Sequence, residues 1–93
     1  MSTVDFKLPE NLTIANVHGL HEEFESLVDT KDCDKVILRG DGVTRADTAG
    51  LQLLVAFVHA TKERQIQVDW DSPSEKLCSA AGLLGVGDAL GIH

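Results

Sequence analysis

Apolar and polar residues alternate at the start of the chain. Val4, Phe6 and Leu8 are separated by polar residues, which is the period of a strand with one buried face. Residues 9–11 have the composition of a turn, and residues 12–14 repeat the alternation. The pattern therefore predicts a short antiparallel pair of strands at the N-terminus.

The pattern then changes to helical spacing. From Asn16, a suitable N-cap, apolar residues recur at the helical period as far as Val28, and acidic residues fall largely on the other side. The apolar run at residues 36–38 is continuous, as expected of a central strand that is covered on both faces. An amphipathic helix followed by the central strand of a sheet is the predicted arrangement.

The second half of the chain predicts another helix and another strand. After a loop at residues 39–42, a helix begins near Asp47 and Thr48 and runs to about Arg64. Residues 66–70 then alternate as a strand that is open to solvent on one side.

A third helix follows at a strong start signal. Ser72 is the predicted N-cap, with Pro73 at the first helical position and Glu75 three residues after the cap. The helix should stop at Gly85. Its predicted buried stripe consists of Leu77, Ala80, Ala81 and Leu84.

This order of elements predicts the fold class. Strands separated by helices imply right-handed crossovers and a parallel sheet. We therefore predict an α/β fold with a mostly parallel sheet of about four strands, an N-terminal antiparallel strand and three or four flanking helices. Residues 1–93 are expected to form a single domain, because so short a chain does not supply a second core.

The second helix is apolar on two sides. One stripe should pack on the sheet: Leu51, Leu54, Val55 and Val58. Leu53 and Phe57 lie on the opposite side, with Ala49, Ala56 and Ala60. Either neighbouring helices or the C-terminal tail cover this second strip, or it is a docking surface for another protein.

The start of this helix carries candidate chemistry in residues 47–51 (Asp-Thr-Ala-Gly-Leu). The Thr48 hydroxyl can cap free backbone amides, and the same position suits a phosphoryl group, because the amides and the helix dipole favour negative charge. Phosphorylation would add nearly two negative charges beside Asp47 and so alter partner binding.

Residues 47–54 resemble the Asp-Ser/Thr-Ser/Ala-Gly-Leu signature of the STAS family, the domain of bacterial anti-anti-sigma factors and related partner-switching regulators. The predicted order of strands and helices is similar to that family over nearly the whole chain. The resemblance implies a STAS-like fold. Two positions depart from the family pattern: Arg39 stands where many members have an aspartate, and Ala46 replaces a larger apolar residue.

The resemblance also implies site residues. In family members that switch partners, an anti-sigma-type serine/threonine kinase phosphorylates the residue that matches Thr48, and its complex with the domain weakens. Thr48 would then be the phosphorylation site, with Asp47 beside it and Gly50 at a position of close approach. The predicted partner-binding set comprises Asp47, Thr48, Ala49, Gly50, Leu53 and Phe57.

Several kinds of protein partner agree with this resemblance. Segments 51–57, 68–70 and 80–85 also resemble short STAS proteins found alongside chemotaxis-type signalling components. Other STAS members are accessory subunits of ABC transporter ATPases, notably in phospholipid transport, and some carry the same motif. The motif itself does not choose between a kinase, a chemotaxis-type protein and an ABC ATPase.

Composition and charge limit which ligands and which cellular location are expected. The net charge of −7, without a basic cluster, argues against binding to nucleic acid or anionic membranes. With no secretory signal and no apolar run long enough to span a membrane, we expect a cytoplasmic protein. Cys33 and Cys78 are predicted to be buried or half-buried free thiols.

Catalysis and metal binding are not predicted. Residues 40–42 (Gly-Asp-Gly) lack the Lys and Ser/Thr of a phosphate-binding loop, and no local pattern completes a metal site with His18 and His21. We therefore expect a regulator that acts by phosphorylation-dependent protein binding, without a cofactor. The alternatives are an accessory subunit of an ABC ATPase and a small-molecule or nucleotide sensor.

Overall fold

The structure is a computed structural model that describes residues 3–29 and 33–92. Nine elements follow one another in these residues: β1 Thr3–Lys7, β2 Asn11–Leu12, α1 Val17–Asp29, β3 Lys35–Arg39, β4 Arg45–Ala46, α2 Thr48–Glu63, β5 Gln67–Asp71, α3 Glu75–Leu84 and α4 Gly87–Leu90. The α/β class is confirmed, and the helix predicted from Asp47 to about Arg64 is α2.

The main sheet is parallel and has three strands in the order β1-β3-β5. β3 is its central strand, as the apolar run at residues 36–38 predicts. The short strands β2 and β4 form a separate parallel pair beside the start of α2. About four strands are predicted in one sheet. The structure instead has a sheet of three strands and a separate pair of two.

The predicted antiparallel pair at the N-terminus is wrong. The Leu8 amide donates to the Arg39 carbonyl at 3.0 Å, which extends the parallel β1-β3 ladder by one residue. The chain then crosses to β4, where the Thr44 amide donates to the Glu10 carbonyl at 2.8 Å. Since residues 9–10 carry the chain forward instead of reversing it, β2 pairs with β4 and not with β1.

The core lies between the sheet and one layer of helices. Val36 and Leu38 of β3 are fully covered on this side. The buried positions of α1 and α2 face them: Leu20, Phe24, Leu51, Leu54, Phe57 and Val58. Burial of these side chains is the main stabilising contribution to the domain.

The other face of the sheet is lined by charged side chains that are partly exposed. Lys35 Nζ lies 2.9 Å from an Asp69 carboxylate oxygen, and Arg39 lies 3.1 Å from Asp5. Ile37 is in register between Asp5 and Asp69 and is only half-buried. The prediction that the central strand is covered on both faces is therefore wrong. On this side the aliphatic parts of charged side chains cover Ile37 only partly, and no helix packs over it within the described residues.

The third helix starts later than the sequence predicts. Ser74 is the N-cap of α3, and its hydroxyl accepts from the Leu77 amide at 3.1 Å. Ser72 has a positive φ of 51°, so it belongs to the preceding loop. Gly85 ends the helix in the left-handed region with a φ of 71°, as predicted.

The buried stripe of α3 is shorter than predicted. Leu77 and Ala81 are fully covered, whereas Leu84 is exposed. The tail that follows forms α4, and its Leu90 carbonyl accepts a 2.7 Å hydrogen bond from Trp70 Nε1. This bond and the burial of Leu90 fasten the end of the described chain to β5.

Both cysteines are free, as predicted. Cys33 is buried and its thiol donates to the Lys35 carbonyl, with sulfur and oxygen 3.4 Å apart. Cys78 is half-buried on α3.

Candidate functional site

Asp47 fixes the start of α2 to the strand pair beside it. One carboxylate oxygen accepts from the Gly50 amide at 2.9 Å and the other from the Ile14 amide at 3.0 Å. The Asp47 amide in turn donates to the Leu12 carbonyl at 3.0 Å. The N-cap is therefore Asp47, and the capping role considered for Thr48 is wrong.

The two backbone donors also set the electrostatics of the cap. Hydrogen bonds from Gly50 and then Ile14 lower the pKa of Asp47 below its ordinary value. The carboxylate is therefore charged at neutral pH, at the positive end of the helix dipole.

Thr48 is the first residue of α2 and its side chain is exposed. Within the described part of the chain, its hydroxyl has no hydrogen-bond partner. Because Asp47 already caps the helix, a group added to this hydroxyl displaces no structural bond. The position is thus chemically accessible and rigidly held.

Gly50 lies where α2 approaches the backbone of β2 most closely. A Cβ atom at this position would lie 2.0 Å from the Leu12 carbonyl oxygen and 2.5 Å from the carbonyl carbon. These contacts are far below van der Waals distance and involve main-chain atoms. A residue without a side chain is needed here for the helix start to meet the strand.

Ile14 is a surface residue of the site that the sequence pattern missed. Its side chain is 75% exposed, although Leu12, two residues earlier, is fully buried. The alternation at residues 12–14 indicated that both face the core. It failed because β2 ends at Leu12, so the period of a strand does not extend to Ile14.

The predicted partner-binding residues divide into two groups. Asp47, Thr48, Ala49 and Gly50 gather at the start of α2. Phe57 lies nine residues after Thr48, about 13.5 Å along the axis at a rise of about 1.5 Å per residue. Leu53 is half-buried between them and faces α1.

The structure covers Phe57 with the neighbouring helix. Its side chain is 3% exposed, and its ring stacks on that of Phe24 with 4.1 Å between centroids. Of the two explanations for the second apolar strip, coverage by a neighbouring helix holds for Phe57. Ala56 remains exposed, and Leu53 and Ala60 are half-buried.

The histidines lie beside glutamates on the same helices. His18 lies 3.4 Å from Glu22, and His21 lies 3.0 Å from Glu25. Residues 3–29 and 33–92 contain no group of three or more His, Cys, Asp or Glu side chains placed to hold a metal ion. None of their helices is both long and apolar enough to cross a membrane.

Asp47 should make part of the stability depend on pH. The folded pKa of its carboxyl lies below the unfolded value of about 3.9, so the unfolded chain takes up the proton first as the pH falls. Its contribution is complete above that value and is lost as the pH falls through the folded pKa. We expect Asp47→Asn to lower the Tm at neutral pH and to reduce the fall in Tm between about pH 5 and pH 2.

The measurement is thermal unfolding followed by circular dichroism across that pH range. Asp69, whose pKa is lowered by Lys35, contributes to the pH dependence of stability in the same range. The informative quantity is therefore the difference in Tm between variant and parent at each pH. Asp41→Asn, at an exposed loop position, is the control for the loss of one carboxylate. If Tm changed with pH equally in Asp47→Asn and in the parent, the lowered pKa of Asp47 would be contradicted.

Comparison with known proteins identifies the family. The family model for the STAS domain matches residues 2–84. This chain belongs to the STAS family. The family fits a small regulatory or accessory module that acts through protein–protein interactions.

The fold agrees with a solved structure. A crystal structure of a sulfate transporter family protein from Wolinella succinogenes superposes with a TM-score of 0.74 at 20% sequence identity. The alignment covers 96% of this chain and 71% of that one. At this identity the likeness concerns the fold alone. The comparison with curated proteins found no match.

Proposed function

We propose that this chain is a cytoplasmic regulatory domain that binds a protein partner through the start of α2 and releases it when Thr48 is phosphorylated. The observation that supports this most directly is the exposed Thr48 hydroxyl on a helix start that Asp47 already caps. The partner would be an anti-sigma-type serine/threonine kinase or a chemotaxis-type signalling protein.

The geometry explains how one phosphoryl group could act as a switch. The α2 start is held by the bonds of Asp47 to Ile14 and Gly50, so modification of Thr48 changes the surface charge and leaves the fold intact. Ile14 and Thr48 are both exposed and adjoin Asp47, Ile14 through its amide hydrogen bond and Thr48 in sequence, so they offer an apolar and a polar contact. A dianion placed there repels an acidic partner surface and costs desolvation against an apolar one.

Thr48→Glu should weaken the complex and Thr48→Ala should preserve it. We expect the affinity for the partner to fall about tenfold or more with Thr48→Glu, about 1.4 kcal/mol, because a fixed negative charge enters the contact surface. Ser79→Glu, at an exposed position of α3, adds the same charge elsewhere and should leave the affinity unchanged. Titration calorimetry with the purified partner measures all four forms.

The partner is obtained by affinity purification of the tagged protein from its source cells. Mass spectrometry then identifies co-purifying proteins and the modification state of the Thr48 peptide. Unchanged binding by Thr48→Glu would contradict the switch. Stoichiometric recovery of an ABC ATPase, with Thr48 unmodified, would instead support the accessory-subunit alternative.

A further inference from the structure

A groove runs between α1 and α2, away from the start of α2. Its volume is about 390 Å³, within the range of about 300–1,000 Å³ that ligand sites occupy. The stacked rings of Phe24 and Phe57 form its floor. Apolar side chains line its sides: Val28, Leu53, Ala56 and Ala60.

Small residues on α2 keep this groove open. Ala56 and Ala60 are four residues apart, so they lie on one side of the helix, and their small side chains leave space above the buried aromatic rings. Leu53 continues the same stripe one turn earlier. A shallow apolar channel bounded by two helices is the shape that receives the apolar face of a third helix.

The charge around the groove is mainly negative. α1 contains four carboxylates and no Lys or Arg. Glu25 and Asp29 border the groove on this side, with His21, whereas Arg64 borders it after α2. Asp29 is the last residue of α1, where the helix dipole adds further negative potential.

We infer that this groove binds a basic amphipathic helix of a partner protein. The apolar face of that helix would insert two or three side chains over Phe24 and Phe57. Its Lys or Arg residues would meet Glu25 and Asp29 at the rim. A second copy of this chain is disfavoured, since it carries a net charge of −7 and would bring a second acidic α1 against the first.

The inference does not depend on phosphorylation. On α2 the groove is lined from Leu53 onwards, and Thr48 is not among its lining residues. One partner could therefore occupy the α2 start while another occupies the groove. Thr48→Glu should leave binding to the groove unchanged, so that failure of one proposal is distinguishable from failure of the other.

The first test uses two synthetic peptides of about 18 residues, which form amphipathic helices of Leu with Lys and of Leu with Glu. Nuclear magnetic resonance of the isotope-labelled protein reports where each binds. We expect the Leu/Lys peptide to shift the signals of Val28, Leu53, Ala56 and Ala60, and the Leu/Glu peptide to leave them unchanged. Shifts spread over the acidic surface, or equal binding of both peptides, would overturn the inference.

Variants separate the shape of the groove from its charge. Ala56→Trp, at an exposed position, should fill the channel and abolish the localised shifts, whereas Gln52→Trp on the same helix should not. The double variant Glu25→Lys with Asp29→Lys should weaken the Leu/Lys peptide about tenfold. Glu10→Lys with Glu75→Lys makes the same change in net charge away from the groove and should have little effect.

The second test identifies the natural occupant. A photo-cross-linking phenylalanine analogue at position 56 of the full chain, expressed in the source cells, traps whatever lies over the groove, and the same analogue at Ser79 is the control. Cross-linking to a helical segment rich in Lys or Arg, in a different protein, supports the inference. A cross-link to a second copy of this chain, to an acidic segment, or no cross-link specific to position 56 overturns it.

Discussion

Gly50→Ala is expected to destabilise the domain by about 1–3 kcal/mol or more, because the new methyl group meets main-chain atoms that have little freedom to move. The added Cβ would lie 2.0 Å from the Leu12 carbonyl oxygen. To relieve this contact, the start of α2 has to move away from β2. That movement lengthens the bond between the Leu12 carbonyl and the Asp47 amide, now 3.0 Å.

Urea denaturation followed by circular dichroism measures this loss, and Gly82→Ala is a matched control. Gly82 lies inside α3, and no atom lies within 4 Å of a Cβ placed there. Its replacement should stabilise the domain by about 0.5–1 kcal/mol, since alanine favours helix over the unfolded chain. If both variants were equally stable, α2 could not approach β2 as closely as the structure shows.

Gly50→Ala should also change the structure of the candidate site. Displacement of the helix start separates Asp47 from the Ile14 amide, and hydrogen exchange of that amide should become faster than in the parent. Binding of the partner should weaken even under conditions where the variant remains folded. The effect on Ile14 distinguishes a local displacement from a general loss of stability.

Phe57→Ala is expected to cost about 3–5 kcal/mol, which is a large part of the roughly 5–15 kcal/mol that stabilises a typical domain. The Phe57 side chain is 3% exposed and stacks on Phe24 at 4.1 Å between ring centroids. Truncation removes its apolar contacts and the stacking, and leaves a cavity beside Phe24, between α1 and α2. Unfolding in urea, with Gln52→Ala as the exposed control, measures the difference.

The control variant Gln52→Ala should change the free energy of unfolding by no more than about 0.5 kcal/mol. A double-mutant cycle with Phe24→Leu and Phe57→Leu should show a coupling of about 0.5–1.5 kcal/mol, as for other aromatic pairs. If Phe57→Ala kept the parent's stability and lost only partner binding, Phe57 would be a docking residue, as its place in the sequence first indicated.

The elements with repeated apolar positions could be predicted from the sequence alone. The run at residues 36–38 indicated the central strand, and the helical period after Asp47 indicated α2, which the structure places at Thr48–Glu63. The prediction of α2 succeeded because burial imposes a helical period on a helix that packs on a sheet. The run at residues 36–38 indicated the right strand, although that strand is fully buried on one face only. The motif at residues 47–51 also indicated the position of the candidate site.

The partners of the short elements could not be predicted in this way. β2 and β4 contain two residues each, too few for a period to establish which strand pairs with which. Their pairing depends on Glu10, whose carbonyl accepts from Thr44 and Arg45. The main-chain carbonyl of any residue accepts such bonds, so the residue type carries no signal.

The sequence by itself determined the long helices and the strands of the main sheet, and it marked the Asp-Thr-Ala-Gly-Leu start of α2 as the candidate site. The tertiary structure decided that Asp47 is the cap, that Ile14 lies exposed beside it and that Phe57 is buried under α1. The spacing of apolar residues that predicts a helix or a strand is a local property of the chain. Capping geometry and the covering of a second apolar strip arise only when segments distant in sequence pack together.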